Sequence, residues 1–137
     1  MVTKSVEVAM AFVEAVNTGS VARLGELMTE DHVFIDSDGA EYRGKSRMVP
    51  GWGEYFAIVP DYRIDVRETF ATGGTVMMAG EAEGTFVQDG ALKPENHWKV
   101  PAAWRAVVKG DKVAVWQLYV NPEPMANIFK HISSRHI

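Results

Sequence analysis

Cysteine is absent from the 137 residues. That excludes disulfides and thiolate chemistry, and a cytoplasmic location fits by default. Long apolar runs are missing too: none approaches the ~20 residues of a membrane span, so no membrane partner is expected. The start, Met-Val-Thr-Lys-Ser-Val-Glu, has no basic stretch followed by a long apolar segment, so no signal peptide is expected. Basic residues are in deficit, 14 against 18 acidic, for a formal charge of −4. A nucleic-acid partner relies on a basic patch and is not expected. No Ser-His-Asp set, nucleophile elbow or glycine-rich phosphate loop occurs. The four histidines and scattered carboxylates do not share a helix or strand at metal-ligand spacing, and His131 and His136 lie five apart on different helix faces. Neither a metal nor a cofactor is therefore expected.

What is present is the composition of one globular domain, residues 1–137, 47% hydrophobic and 23% charged. Seven Met, four Trp, six Phe and four Tyr are rich in soft and aromatic surface. They point either to an adaptable apolar cavity or to ordinary core packing. Apolar residues at Val6, Ala9, Met10, Val13 and Val16 mark a helix over Thr3–Asn17, stopped by Gly19. Ser20 caps a second helix reaching about Met28. His32–Ile35 and Ala40–Arg43 read as short strands around Asp38-Gly39. A third helix spans Ser46–Ile58 despite Pro50, Gly51 and Gly53. Tyr62–Ala71 and Thr75–Val87 read as a hairpin about Gly73-Gly74. Gln88–Asn96 reads as a polar loop. Trp98–Lys109 and Lys112–Asn121 form a last hairpin, and Met125, Ile128, Phe129 and Ile132 mark a terminal helix. Helices followed by a run of strands mean α+β, with a curved, mostly antiparallel sheet carrying helices on one face. Gly80 and Gly84 suit strong bending.

Asp36 ends the apolar strand His32-Val-Phe-Ile. A carboxylate that faces an apolar pocket loses hydration and suits proton transfer; one in a turn binds backbone amides instead. Asp38 reads as the turn residue. His32 and His97 read either as proton shuttles or as partly exposed strand ends. Strand parity turns Trp104 inward and Arg105 outward, and sets Trp116, Leu118 and Val120 on one face. A one-residue ambiguity at the Gly110-Asp111 turn would reverse the fifth strand and send Arg105 inward to bind a carboxylate or carbonyl.

Phe12-Val-Glu-Ala-Val-Asn-Thr-Gly19, the segment Asp36 to Gly44 and the closing Gly-Asp-Lys-Val…Trp-Gln-Leu-Tyr hairpin resemble the nuclear transport factor 2-like superfamily, in its ketosteroid-isomerase and SnoaL-like branch. The resemblance implies a cone-shaped, cystatin-like α+β barrel around three helices, a deep apolar pocket and a homodimer formed by the outer sheet face. It places Asp36 at the proton-moving aspartate of ketosteroid isomerases. Their oxyanion-holding Tyr falls on Phe12, and their protonated Asp on Ala102 or Ala103. Both donors are therefore missing, and a typical steroid isomerase is not expected.

The sequence reading that follows is a small-molecule pocket protein of isomerase, cyclase or dehydratase type. Asp36 is its general base, with His32 or Tyr55 as acid or donor. An apolar, carbonyl-bearing ligand would lie against Phe12, Trp52, Phe56, Met78, Trp104, Trp116, Leu118 and Val120. The alternative is a non-catalytic binding or dimerisation module with the same fold.

Overall fold

A computed structural model describes residues 3–134; His136 lies outside the described residues. The first helix, α1 (Lys4–Thr18), is capped by the Thr3 hydroxyl, which accepts from the Val6 N–H. It ends at Gly19, whose φ of 67° closes the helix through bonds to Ala15 and Val16, a left-handed conformation that glycine adopts without steric cost. Its buried face is centred on Ala9, Phe12, Val13 and Val16, whereas Met10 is 36% exposed. The helical period holds, but Phe12 is its innermost residue. Asn17 then acts as a peptide mimic: its amide donates to the Ile64 carbonyl at 2.9 Å and its oxygen accepts the Ile64 N–H at 2.7 Å. Those two bonds dock α1 on the sheet edge.

The short α2 (Val21–Leu27) leads into β1 (Met28–Ile35), which pairs with β2 (Glu41–Arg43). Next come α3 (Lys45–Ile58), β3 (Arg63–Thr72), β4 (Thr75–Gln88), β5 (Ala91–Lys109), β6 (Lys112–Val120) and α4 (Glu123–Ser134). The strands form one curved, open sheet in the order β2-β1-β6-β5-β4-β3. β1 and β6 run parallel and every other pair is antiparallel. Parallel pairing arises because β1 and β6 are joined through the rest of the domain rather than by a turn.

Two sequence expectations need correction. Gln88–Asn96 is not a loop: Asp89 and Gly90, both at positive φ, make a tight turn, and Val87 and Gln88 pair with Leu92 and Ala91. Its polar residues alternate along a hairpin, and Asn96 and Gln88 bury their amides against each other at 2.9 Å. His32 is no exposed strand end either. β1 starts four residues earlier than expected, which places His32 inside the sheet at 0% exposure.

The strand-five ambiguity is settled by a register shift between Val107 and Val108. It absorbs the odd residue at the turn. Trp104 is inward and fully buried, while Arg105 is outward and donates to Gln117 at 2.9 Å. Gly80 explains part of the sheet's bend. A Cβ there would lie 1.9 Å from the Asp65 carbonyl oxygen, beside the irregularity between Val66 and Glu68. Only glycine lets β3 approach so closely.

Candidate functional site

A cavity of ≈ 650 Å³ opens between α3, the β1–β2 end of the sheet and the start of α4. That size suits a small organic ligand. β1, its following turn and β2 contribute Phe34, Asp36 and Tyr42. From α3 come Arg47, Met48, Trp52, Glu54 and Tyr55. Tyr62 and Phe86 close one side, Trp116, Leu118 and Val120 another, and Pro122 and Met125 the last.

Asp36 is half-buried on this wall. It also belongs to the turn, because its Oδ1 accepts the Ser37 N–H at 2.7 Å. Asp38 does what the turn reading asked of it and accepts the Ala40 N–H at 2.9 Å. A carboxylate with one oxygen held by an amide keeps its second oxygen for the cavity.

Two phenols share the cavity with Asp36. Tyr55 stands on α3, one turn beyond Gly51 and beside Trp52. Tyr62 is delivered by the turn before β3. The Asp61 carboxylate fixes that turn, accepting the Thr85 N–H and hydroxyl, each at 2.7 Å. The partly exposed His97 stands behind this clamp, its Nδ1 2.9 Å from the same hydroxyl. The two tyrosine rings meet at 5.0 Å and 87°. Burial drives the Tyr55 hydroxyl well above the ordinary phenol range, and the charges of the Tyr62, Asp36 and Asp61 groups add to it. Burial does the same to Tyr62, opposed by a hydrogen bond with Trp104 and reinforced by Asp36. Both phenols are therefore protonated donors at neutral pH. Since indole only donates, the Trp104 N–H leaves the Tyr62 hydroxyl hydrogen free for another acceptor.

The residues expected from sequence divide into two groups. Asp36, Tyr55, Trp52, Trp116, Leu118 and Val120 line the cavity. Phe12, Phe56, Met78 and Trp104 do not; they stand behind it. Phe12 is fully buried, 4.5 Å from Trp116 and 6.3 Å from Trp52 by ring centre. Phe56 backs Trp52 at 5.5 Å, and Met78 and Trp104 are core residues under the sheet. Parity gave the inward side of Trp104 correctly, but its indole hydrogen-bonds Tyr62 from behind the cavity lining. His32, expected as an acid beside Asp36, lies outside the cavity lining. Its Nδ1–H donates to the Val113 carbonyl at 2.7 Å, its ring stacks on Phe12, and its Nε2 has no partner among the described residues. Burial lowers its basicity, against opposing contributions from the Val113 bond and from Asp31.

Tyr62, Tyr42, Glu54 and Arg47 were missed from sequence. Tyr62 reads there as the first residue of a strand, and only the tertiary fold, which sets its ring 5.0 Å from Tyr55 of α3, turns it to the cavity. Arg47 stands on α3 with its guanidinium 5.0 Å over the Tyr42 ring. The two donor positions of a steroid isomerase stay empty. Phe12 has no hydroxyl, and the inward residue of the ambiguous pair is Ala102, at 9% exposure.

An open curved sheet cupping three helices, with a cavity at its wide end, defines the nuclear transport factor 2-like class of α+β folds. Residues 9–116 match the SnoaL-like domain, and the chain belongs to that family. Solved structures agree on the fold. A presumed SnoaL-like polyketide cyclase from Shewanella denitrificans superposes with a TM-score of 0.79 at 14% identity, over 93% of this chain and 97% of that one. IdmH, a presumed polyketide cyclase from Streptomyces antibioticus, gives 0.75 at 17%, over 93% and 99%. An LEH-like epoxide hydrolase of M. tuberculosis gives 0.74 at 14%, over 96% and 92%. No curated protein matches the chain significantly.

Proposed function

We propose that this SnoaL-like chain binds a small apolar, carbonyl-bearing molecule in the cavity and moves a proton on it, as an isomerase, cyclase or dehydratase would. The observation that carries this reading is the convergence of Asp36, Tyr55 and Tyr62 on one cavity. Asp36 takes a proton from carbon next to the carbonyl. Negative charge then develops on the carbonyl oxygen, where a neutral phenol donates a hydrogen bond. Such donors, placed where charge develops, contribute about 3–4 kcal/mol each. Tyr55 and Tyr62 thus supply, from α3 and from the turn before β3, what Phe12 and Ala102 lack. Trp52, Trp116, Leu118 and Val120 bury the apolar body of the ligand.

The test needs no known substrate. Small cyclic and aryl ketones that bind are incubated with the protein in D₂O, and exchange of their α-hydrogens is followed by NMR. Asp36→Asn is expected to abolish exchange while binding persists. Tyr62→Phe and Tyr55→Phe are expected to slow it by up to about a hundredfold. If bound ketones exchange no faster than in buffer, the second reading takes over: a non-catalytic binder. The hydrogen bond that the Ser37 N–H donates to the Asp36 carboxylate favours that reading, since it gives the carboxylate a structural task.

We also propose a homodimer through the outer sheet face. Register aligns Phe70, Met77, Arg105, Gln117 and Ile35 in one row across five strands. Phe70 is 65% exposed, Met77 36% and the nearby Tyr119 44%. An outer face left to water would be polar there.

A further inference from the structure

We infer that the cavity's ligand carries a cationic nitrogen, a protonated or quaternary amine, held by aromatic faces with Glu54 as its counter-charge. The inference rests on the cavity being the ligand site, as proposed above. It starts from charge. Among the described lining residues the carboxylic and guanidinium side chains are Asp36, Glu54 and Arg47. Neither Asp36 nor Glu54 forms an ion pair among the described residues, although eight such contacts occur elsewhere. Arg47 is already engaged, over the Tyr42 ring at 5.0 Å. The cavity therefore carries two unpaired carboxylates and one cation that the wall itself holds.

Ring geometry points the same way. Phe34 meets Trp52 at 78°, Trp52 meets Tyr55 at 88°, and Tyr55 meets Tyr62 at 87°. Three successive near-right angles fold four rings around a corner. Rings at right angles cannot all stack on one flat ligand, and each face that no neighbour's edge covers offers negative π-density to a compact cation. The phenols stay protonated, so they add π-surface without adding charge. The Arg47–Tyr42 contact shows that a wall of this cavity accommodates a cation on its face. Glu54 is exposed on α3, one side of the cavity opening, where it can neutralise an ammonium without being buried. Asp36, tied to the turn, remains available for proton transfer.

The experiment compares three probes of similar size by tryptophan fluorescence and ligand-observed NMR: benzyltrimethylammonium, its uncharged carbon isostere neopentylbenzene, and anionic 4-phenylbutyrate. The ammonium is expected to bind about tenfold or more tightly than the isostere, the scale of a desolvated cation–π contact. Glu54→Gln, an exposed substitution, is expected to weaken the ammonium several-fold and to leave neopentylbenzene unchanged. Raised salt is expected to weaken the ammonium alone. Equal affinity for ammonium and isostere, tighter binding of the anion, or no effect of Glu54→Gln would each overturn the cation inference while leaving a small-molecule cavity standing. Failure of all three probes to bind, and of the ketones above, would remove the cavity reading itself and the inference with it.

Discussion

Lowering the pH from 7.5 to 5.5 is expected to destabilise the protein through His32, and the structure gives the sign. The imidazole is fully buried, it spends its Nδ1–H on the Val113 carbonyl, and its Nε2 faces no acceptor. A proton on Nε2 would have no partner, so burial lowers the folded-state pKa below the ordinary imidazole value of 6.5. In the unfolded chain the ring protonates normally. Between the lowered value and 6.5 the unfolded state therefore binds more protons, and stability rises with pH. His32 contributes this stability fully above pH 6.5 and loses it as pH falls below. The limiting slope is one proton, about 1.4 kcal/mol per pH unit. That slope makes the loss at pH 5.5 at most about 1.4 kcal/mol relative to pH 7.5.

The assay is urea unfolding at pH 5.5, 6.0, 6.5 and 7.5 for the wild type and for His32→Asn, which keeps a donor for Val113 but cannot titrate. The variant is expected to be less stable by about 2 kcal/mol at pH 7.5, from lost packing against Phe12. The gap is expected to narrow as pH falls. A gap that stays constant or widens would refute the argument. Should the variant not fold, titration of the wild-type His32 ring carbons decides: a midpoint at or above 6.5 gives the same refutation.

Other expectations follow from single contacts. Gly80→Ala is expected to destabilise by about 2 kcal/mol or more, because its Cβ would meet the Asp65 carbonyl at 1.9 Å; thermal unfolding checks it, and an unchanged midpoint refutes the close-approach argument. The outer face is expected to give a homodimer by light scattering at micromolar concentration, weakened by Met77→Glu; a monomer throughout removes the proposal. Isomerisation of a standard steroid enone is expected to be negligible, since the two phenols stand at positions other than Phe12 and Ala102, where a steroid isomerase holds its oxyanion donors; turnover at the rate of a good isomerase would refute that positional argument.

The sequence by itself determined the order of elements, because apolar periodicity and turn residues act locally. Gly19, Gly73-Gly74 and the stretch around Gly110 stop their elements wherever the chain goes. It determined the family too, and with it the position of Asp36. Parity along β5 and β6 correctly turned Trp104, Trp116, Leu118 and Val120 inward. Tertiary structure alone decided which inward residues meet the cavity and which lie behind its wall. Trp104 and Trp116 lie on the same face of the sheet and are equally apolar, yet Trp104 hydrogen-bonds Tyr62 from behind the cavity lining while Trp116, packed on Phe12 of α1, reaches the cavity wall. The polar hairpin at Gln88–Asn96 hid its strands because paired backbone, and not side-chain hydrophobicity, holds it. His32 looked like a strand end because the pairing of β1 with β6, which buries it, joins residues about eighty apart. Tyr62 and Glu54 became site candidates only when α3 folded over the sheet, since nothing in a local window tells a tyrosine or a glutamate which neighbour it will face.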